Sequence, residues 1–191
     1  MTLLALAVLI AAAVWALIIY NRLVGLGNRA AGAWSDIDVQ LQRRHDLVGN
    51  LVETVKGYVR HERETLEQVT LARTDAEKAR GLGRPGRAGE AETTLASRIR
   101  HLFVVVEAYP ELLASERFMD LHRSLVDVEN DIQDARRYYN AVVRDNNTRV
   151  QSVPDLLIAR PLGFPEREFF ALTDGVAGAP PRVSFQAERQ R

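Results

Sequence analysis

Residues 118–153, FMDLHRSLVDVENDIQDARRYYNAVVRDNNTRVQSV, carry the most regular pattern in the chain. Seam positions recur there at alternating spacings of three and four residues: Phe118, Leu121, Leu125, Val128, Ile132, Ala135, Tyr139, Val142, Asn146, Arg149 and Val153. This spacing is typical of a long helix that packs against one or more other long helices, as a bundle or a coiled coil. Asn146 is a polar residue on this seam, where such residues commonly fix the register. The stretch therefore predicts an all-α fold.

A first long helix is predicted from Asn28 to Glu77, with Gly49 as a local weak point. Its apolar positions follow the same spacing: Trp34, Ile37, Leu41, Val48, Leu51, Val55, Tyr58, Leu66 and Val69. If this helix is continuous, it extends about 70 Å at a rise of ~1.5 Å per residue. Such a length favours a spacer or adaptor over a compact enzyme.

Glycines and prolines divide the remaining chain. Residues 81–90, GLGRPGRAGE, form a predicted loop. A second helix follows, with one apolar face: Leu95, Ile99, Leu102, Val106 and Tyr109. Pro110 ends or kinks that helix, and Pro154 stops the third one. Residues 154–170 mix prolines with bulky apolar residues, so we expect them to cap the bundle as a packed loop or a short helix.

Residues 2–20, TLLALAVLIAAAVWALIIY, contain neither a charged residue nor a helix breaker. At a rise of ~1.5 Å per residue, this stretch approaches the ~30 Å hydrocarbon core of a bilayer. A cleaved signal peptide would need a basic start and small residues at its cleavage site, whereas this run ends in Ile18, Ile19 and Tyr20. We therefore predict an uncleaved transmembrane anchor.

Charge and glycine distinguish the residues that follow the anchor. Arg22 and Arg29 follow it and no Lys or Arg precedes it, so the positive-inside rule places the N-terminus outside and the large domain in the cytoplasm. Three glycines loosen the helix and predict a flexible neck: Gly25, Gly27 and Gly32. The predicted organisation is an anchor over residues 1–21, a neck over 22–33, a helical bundle domain over 34–174 and a disordered tail over 175–191.

Composition removes several classes of function. The chain has 25 Lys and Arg residues against 25 Asp and Glu residues, so it has no overall attraction to nucleic acid, which is not expected as a partner. It has no cysteine, which excludes disulfides, thiolate metal sites and a cysteine nucleophile.

The four histidines do not have the spacing of a metal site. HERET, residues 61–65, lacks the second histidine of an H-E-x-x-H zinc helix. A carboxylate site in a bundle would use Glu-x-x-His pairs, but the residues three before the histidines are Gln42, Tyr58, Arg98 and Met119. We therefore predict no metal, no cofactor and no catalytic residue.

RRHD, residues 43–46, interrupts the apolar stripe of the first helix between Leu41 and Val48. Neighbouring side chains on a helix splay around its axis, so they do not converge on one substrate atom. We expect His45 and an arginine to reach a carboxylate on another helix and thereby to fix register. Candidate carboxylates are Glu129, Asp131 and Asp134.

We predict a polar network between helices that includes residues of this stretch. Its predicted members are Arg43, Arg44, His45, Asp46, Tyr139, Asn140 and Asn146. The alternative is a ligand-binding or enzymatic bundle, whose polar site would join Arg44, His45 and Asp46 to Tyr139 or Asn140. A shared cavity with convergent polar groups would favour this alternative, and a filled seam would favour the network.

Several stretches together resemble the LemA family of bacterial membrane proteins in order and spacing. They are YNRLVGLGN from Tyr20, AWSDIDVQLQRRHDLVGNLVETVKGYVRHERETLEQVTLAR from Ala33, VEAYPELLASERFMDLHRSL from Val106, ENDIQDARRYYNAVVRDNN from Glu129 and VPDLLIARPLGF from Val153. The resemblance implies a single N-terminal membrane helix, an antiparallel bundle of long helices and no established enzymatic activity. The chain departs from the family pattern where Gly49 replaces a usual proline and where Asn146 and Val153 replace usual aromatic residues.

The predicted function is a membrane-anchored helical scaffold or adaptor for protein contacts at the bacterial inner membrane. Its predicted partners are the lipid bilayer, through residues 2–20, and an unidentified protein, with a homo-oligomer left open. The candidate docking cap consists of Leu156, Leu157, Phe164, Phe169 and Phe170. A third hypothesis, a lipid-remodelling surface helix, would need a basic amphipathic face, and the mixed charges argue against it.

Overall fold

The computed structural model describes residues 1–59 and 62–172 of the chain. This part contains six helices and no β-strand: α1 (Thr2–Lys56), α2 (Arg63–Gly81), α3 (Pro85–Val106), α4 (Pro110–Leu113), α5 (Glu116–Gln151) and α6 (Leu156–Ala159). The predicted all-α fold is confirmed. The predicted disordered tail, residues 175–191, lies outside the described residues.

The long helices α1, α2, α3 and α5 run up and down beside one another. α2 returns along α1, because Arg73 donates to the backbone oxygen of His45 at 2.8 Å and Arg80 donates to Gln42 at 2.6 Å. α1 packs most extensively on α5, and α2 packs most extensively on α3. We call the end of the bundle next to residues 2–20 the proximal end, and the end at the turn between α1 and α2 the distal end.

The N-terminal part of α1 projects from the bundle. Its large apolar side chains are exposed: Leu3, Leu4, Leu6, Val8, Leu9, Ile10, Val14, Trp15, Leu17, Ile18 and Tyr20. Among the described helices, α1 is the one that is long and apolar enough to cross a membrane. A core helix of a soluble protein would bury this segment, so its exposure supports a membrane span.

Three apolar clusters follow one another along the bundle. The distal cluster joins α1, α2, α3 and the start of α5, and the middle cluster joins α1 and α5 around Trp34, Tyr139 and Phe170. The proximal cluster contains Ile19, Leu23, Val150 and Ala159. Apolar burial therefore extends from the distal turn to the last residues of the apolar N-terminal segment.

The long first helix predicted to run from Asn28 to Glu77 is not continuous. α1 ends at Lys56, and α2 starts at Arg63 and folds back. A continuous helix would leave the apolar stripe of residues 66–76 without a partner. The turn instead buries it against α1 and α3, as it does Val59.

The predicted neck does not interrupt α1, which runs helically through residues 22–33. Four apolar residues of this stretch are buried: Leu23, Leu26, Ala30 and Ala33. A glycine costs a helix roughly 1 kcal/mol relative to alanine, whereas burying one leucine contributes roughly 1.5–3 kcal/mol. Packing against α5 therefore outweighs the glycines.

The predicted loop at residues 81–90 is shorter than the composition suggested. Only residues 82–84 separate α2 from α3, and Gly83 takes the positive φ of 63° that this turn requires. Pro85 begins α3, where its missing N–H costs nothing. Gly89 lies inside α3, and a side chain is excluded there because a Cβ would overlap the carbonyl oxygen of Ala171, which crosses the helix closely.

Candidate functional site

A buried ionic network ties three helices together at the centre of the bundle. Nε2 of His45 lies 2.6 Å from Oε1 of Glu92 on α3, and both side chains are buried. Arg44 lies beside them, with Nη1 3.4 Å from Oε2 of Glu92 and Nη2 3.2 Å from Oε2 of Glu129 on α5. Because buried charges are tolerated only when they are paired, the packing of α1, α3 and α5 must keep these groups together.

The polar groups of the network are mostly used by one another. Arg44 is shared between two carboxylates, and the backbone oxygen of His45 accepts a bond from Arg73 on α2. Within the described residues, Nδ1 of His45 has no hydrogen-bond partner. The arrangement thus resembles a structural register device more than a reaction centre with free groups.

Glu92 is not among the carboxylates predicted from the sequence, although both Arg44 and His45 reach it. A signal was present in the sequence. Glu92 occupies a position on the apolar stripe of α3: Ala88, Glu92, Leu95, Ile99 and Leu102. Of the three predicted carboxylates, Glu129 joins the network, while Asp131 pairs with Arg43 at 3.5 Å on the surface.

Asp46 does not belong to the network. It is exposed, and it accepts a bond from Gln42 one turn earlier on the same helix at 2.9 Å. Tyr139 and Asn140 do not approach His45 either, since Tyr139 packs on Trp34. Trp34 lies about 15 Å from Arg44 along the axis of α1. The predicted polar network is therefore two separate sites, and the alternative site that joins Arg44 to Tyr139 or Asn140 is not formed.

The second polar site holds an extended segment, residues 164–172, which we call the strap. The strap runs along α5 away from the proximal end, and polar side chains of α5 bond to its backbone. Asn140 donates to the oxygen of Phe170 and accepts from its nitrogen, both at 3.0 Å. Asn147 makes the same pair of bonds with Arg167, at 2.9 and 2.8 Å.

Three further residues of α5 bond to the strap, and one of them is Arg136, which donates to the oxygen of Leu172 at 3.0 Å. Asn146, predicted to fix register, donates to the oxygen of Pro165 at 3.4 Å, so its buried partner is the strap. Tyr139 donates to the oxygen of Glu168 at 2.9 Å. Burial raises the pKa of the Tyr139 hydroxyl, Arg167 lowers it and Glu168 raises it. Side chains of α5 therefore make the hydrogen bonds to the strap backbone that the backbone of a neighbouring strand would make in a β-sheet.

The predicted docking cap divides into buried and exposed residues. Phe170 is fully buried against Trp34, with ring centroids 5.6 Å apart, so it is not available to a partner. Leu156 and Phe164 are partly buried, whereas Leu157 and Phe169 are exposed. The cap thus includes a short helix at the proximal end, α6, followed by the strap.

A partly open cavity of about 300 Å³ lies between α3 and α5, beside the ionic network. Arg44 and Glu129 reach its wall, together with Arg100, Phe103 and His122. Phe103 and His122 are in edge contact, with ring centroids 4.7 Å apart. Within residues 1–59 and 62–172, no group of three or more metal-ligating side chains is placed to hold an ion.

Comparison with known proteins identifies the family. The model of the LemA family matches residues 33–185. The chain is similar to the magnetosome protein MamQ of Magnetospirillum gryphiswaldense, with 26% identity over 175 residues, and to the magnetosome protein MamQ 2 of Paramagnetospirillum magneticum, with 25% identity over 174 residues. Each alignment covers 79% of this chain and 64% of the relative, so the chain spans less than two thirds of these relatives' length. With its exposed apolar segment, the protein is membrane-associated and helical, and it belongs to the LemA family.

Proposed function

We propose that the protein is a membrane-anchored scaffold or adaptor without catalytic activity, which presents its bundle to other proteins at the bacterial inner membrane. The observation that carries this proposal is the use of the central polar groups within the bundle. Arg44, His45 and Glu92 neutralise and bond one another at buried positions, so their evident role is to fix helix alignment.

The distal half of the bundle offers the surface for a partner. Large apolar side chains are exposed there on three helices and on α4: Leu71, Val104, Leu113, Met119 and Val126. By helix rise along α1, this surface lies roughly 40–50 Å from the point where the apolar segment ends. A partner protein would therefore bind at a distance from the bilayer.

Crosslinking of the full-length protein in membranes, followed by mass spectrometry, tests the adaptor proposal. We expect the wild type to capture a protein in fixed stoichiometry, and the double variant Val104→Ser/Leu113→Ser to lose it. Leu82→Ser is the matched control, because Leu82 is an exposed leucine at the α2–α3 turn, away from the distal end. Capture of nothing, or of this chain alone, contradicts the proposal.

The proposal places the N-terminus outside the cell and the bundle in the cytoplasm. Arg22 and Arg29 support this orientation by the positive-inside rule. Protease treatment of intact spheroplasts that carry a C-terminal tag tests it. The tag should be protected until the membrane is opened, and digestion from outside reverses the assignment.

The cavity between α3 and α5 favours a second candidate function, a bundle that binds a small ligand or acts on it. Its wall combines the aromatic ring of Phe103 with the cationic side chains of Arg44 and Arg100. Native mass spectrometry of the purified protein tests this candidate. A small molecule that copurifies with the wild type and is absent from Val126→Trp, which fills the mouth of the cavity, would favour it over the adaptor.

A further inference from the structure

We infer that residues 153–164, which we call the foot, make a second contact with the bilayer beside the anchor, with Val153, Leu157 and Leu162 facing lipid. This inference rests on one part of the proposed function, namely that residues 2–20 span the membrane. It adds an interaction surface in a region where the sequence predicted a protein-docking cap.

The position of the foot along α1 carries the inference. Ala159 of α6 is buried against Ile19 and Leu23 in the proximal cluster, and Phe164 packs edge-on against Tyr20 with ring centroids 5.7 Å apart. Ile19 and Tyr20 are the last residues of the apolar run. By helix rise, Ile19 and Leu23 lie about 25 and 31 Å from Thr2, and the hydrocarbon core is ~30 Å thick. α6 therefore lies at the boundary between hydrocarbon and headgroups.

The exposed apolar side chains of the foot lie at the level of α1 where those of the span end. Val153, Leu157 and Leu162 are 71%, 62% and 58% exposed in a segment of twelve residues. Exposed leucine and isoleucine side chains of the span, Leu17 and Ile18, lie one helical turn or less from the Ile19–Tyr20 contact. Transfer of such apolar surface from water to lipid is favourable, so the bilayer that receives the span also covers the foot.

Polar groups of this region suit the headgroup layer. Arg160 at the end of α6 and Arg22 on α1 are exposed, and long arginine side chains keep their charge in water while their stems lie on apolar surface. Asp155, which precedes α6, is buried and paired with Arg149 at 3.5 Å. The carboxylate of the foot is therefore withdrawn from the surface and lies beside a cation.

Single-cysteine labelling of the full-length protein tests this inference, because the chain has no native cysteine. An environment-sensitive fluorophore is attached at Leu157→Cys, and separately at Val153→Cys and Leu162→Cys, in phosphatidylcholine vesicles. Quenching is measured with lipids that carry a nitroxide near the carbonyl groups, for the foot labels, or deep in the acyl chain, for the Leu9 label, and with aqueous iodide. Zwitterionic lipid is sufficient, because the inference rests on apolar contact.

Matched positions supply the controls. Leu82→Cys and Val104→Cys replace the same residue types, 67% and 63% exposed, away from the proximal end. Leu9→Cys reports on the span itself. We expect the foot labels to be blue-shifted, quenched by the nitroxide lipid and protected from iodide, whereas the labels at Leu82 and Val104 show the reverse.

Each alternative outcome has a separate meaning. If the Leu9 label is quenched by lipid while the foot labels behave like the Leu82 label, the span stands and the inference is wrong. If the foot labels are shielded from both quenchers, a protein or a second copy of the chain covers the foot, and the lipid assignment is again wrong. If the Leu9 label is not quenched by lipid, the span fails, and the inference fails with it.

Discussion

Both polar sites of the bundle join separate segments of the chain through polar contacts, but their chemistry differs. At the level of His45, charged side chains of α1, α3 and α5 pair with one another inside the apolar core. At the level of Tyr139, mostly neutral side chains of α5 bond to the backbone of the strap, together with Arg136. The first site aligns helices, and the second attaches a segment that forms no helix. Polar residues on an apolar seam therefore need not share a function, even when both sites use side chains of α5.

Removal of Glu92 should have the largest effect, because it breaks the charged site. Glu92→Ala leaves Arg44 and His45 buried without their shared carboxylate, and breaking a buried ion pair costs roughly 3–5 kcal/mol. Urea unfolding of the full-length protein in detergent, followed by circular dichroism, measures this loss. Glu90→Ala, an exposed substitution on the same helix, should change stability little. An equal effect of both variants would show that the network does not stabilise the bundle.

A substitution at Gly89 should loosen the strap without changing the α5 side chains that bond to it. Gly89→Ala places a Cβ on the carbonyl oxygen of Ala171, so the strap must move, and such overpacking costs about 1–3 kcal/mol. Hydrogen exchange at residues 168–172 should accelerate. At Gly32 a Cβ meets nothing within 4 Å, so Gly32→Ala should be neutral or stabilising. Unchanged exchange in Gly89→Ala would contradict the close crossing.

Loss of one amide should cost less than loss of the buried carboxylate. Asn140→Ala removes two hydrogen bonds to Phe170, and each is worth about 0.5–1.5 kcal/mol. The same unfolding measurement should give a loss of about 1–3 kcal/mol, with faster amide exchange at Phe170. Asn130→Ala, at an exposed position of α5, is the matched control. A loss as large as that of Glu92→Ala would remove the distinction between the two sites.

Loss of the ion pair on the surface should have the smallest effect on the free energy of unfolding. Arg43 and Asp131 are 53% and 50% exposed in their side chains, and such pairs contribute about 0–1 kcal/mol. Arg43→Ala should therefore lower the free energy of unfolding only slightly, and added salt should remove the difference. A loss that persists in high salt would instead extend the charged site to the surface.

The helices could be predicted from the sequence because burial leaves a period of three and four. Phe118, Leu125, Val128 and Ile132 on the predicted seam of α5 are indeed buried. Val153 was wrongly placed on the seam, because α5 ends at Gln151 and leaves Val153 exposed. Periodicity identifies a face, but it does not locate the residue at which packing stops being favourable.

The sites were less predictable, for two physical reasons. Arg44 and His45 were recognised as a polar interruption, but their partner Glu92 could be chosen only once the neighbour of α1 at that level was known. The strap is held mainly through its backbone, which has the same chemistry at every residue and leaves no pattern in residues 164–172. The turn after Lys56 could not be predicted, because the apolar positions before and after it keep the spacing of a single helix face.

The uninterrupted course of α1 from the anchor to Lys56 has a mechanical consequence. Because α1 is stiff and packed along α5, a tilt of its anchor at the bilayer surface would rotate the whole bundle as a rigid body. The distance from Leu23 to Lys56 is about 50 Å, so a tilt of about 10° in the anchor displaces the distal end by roughly 9 Å. If residues 2–20 span the membrane, a hydrophobic mismatch that tilts the span would therefore also displace the distal surface.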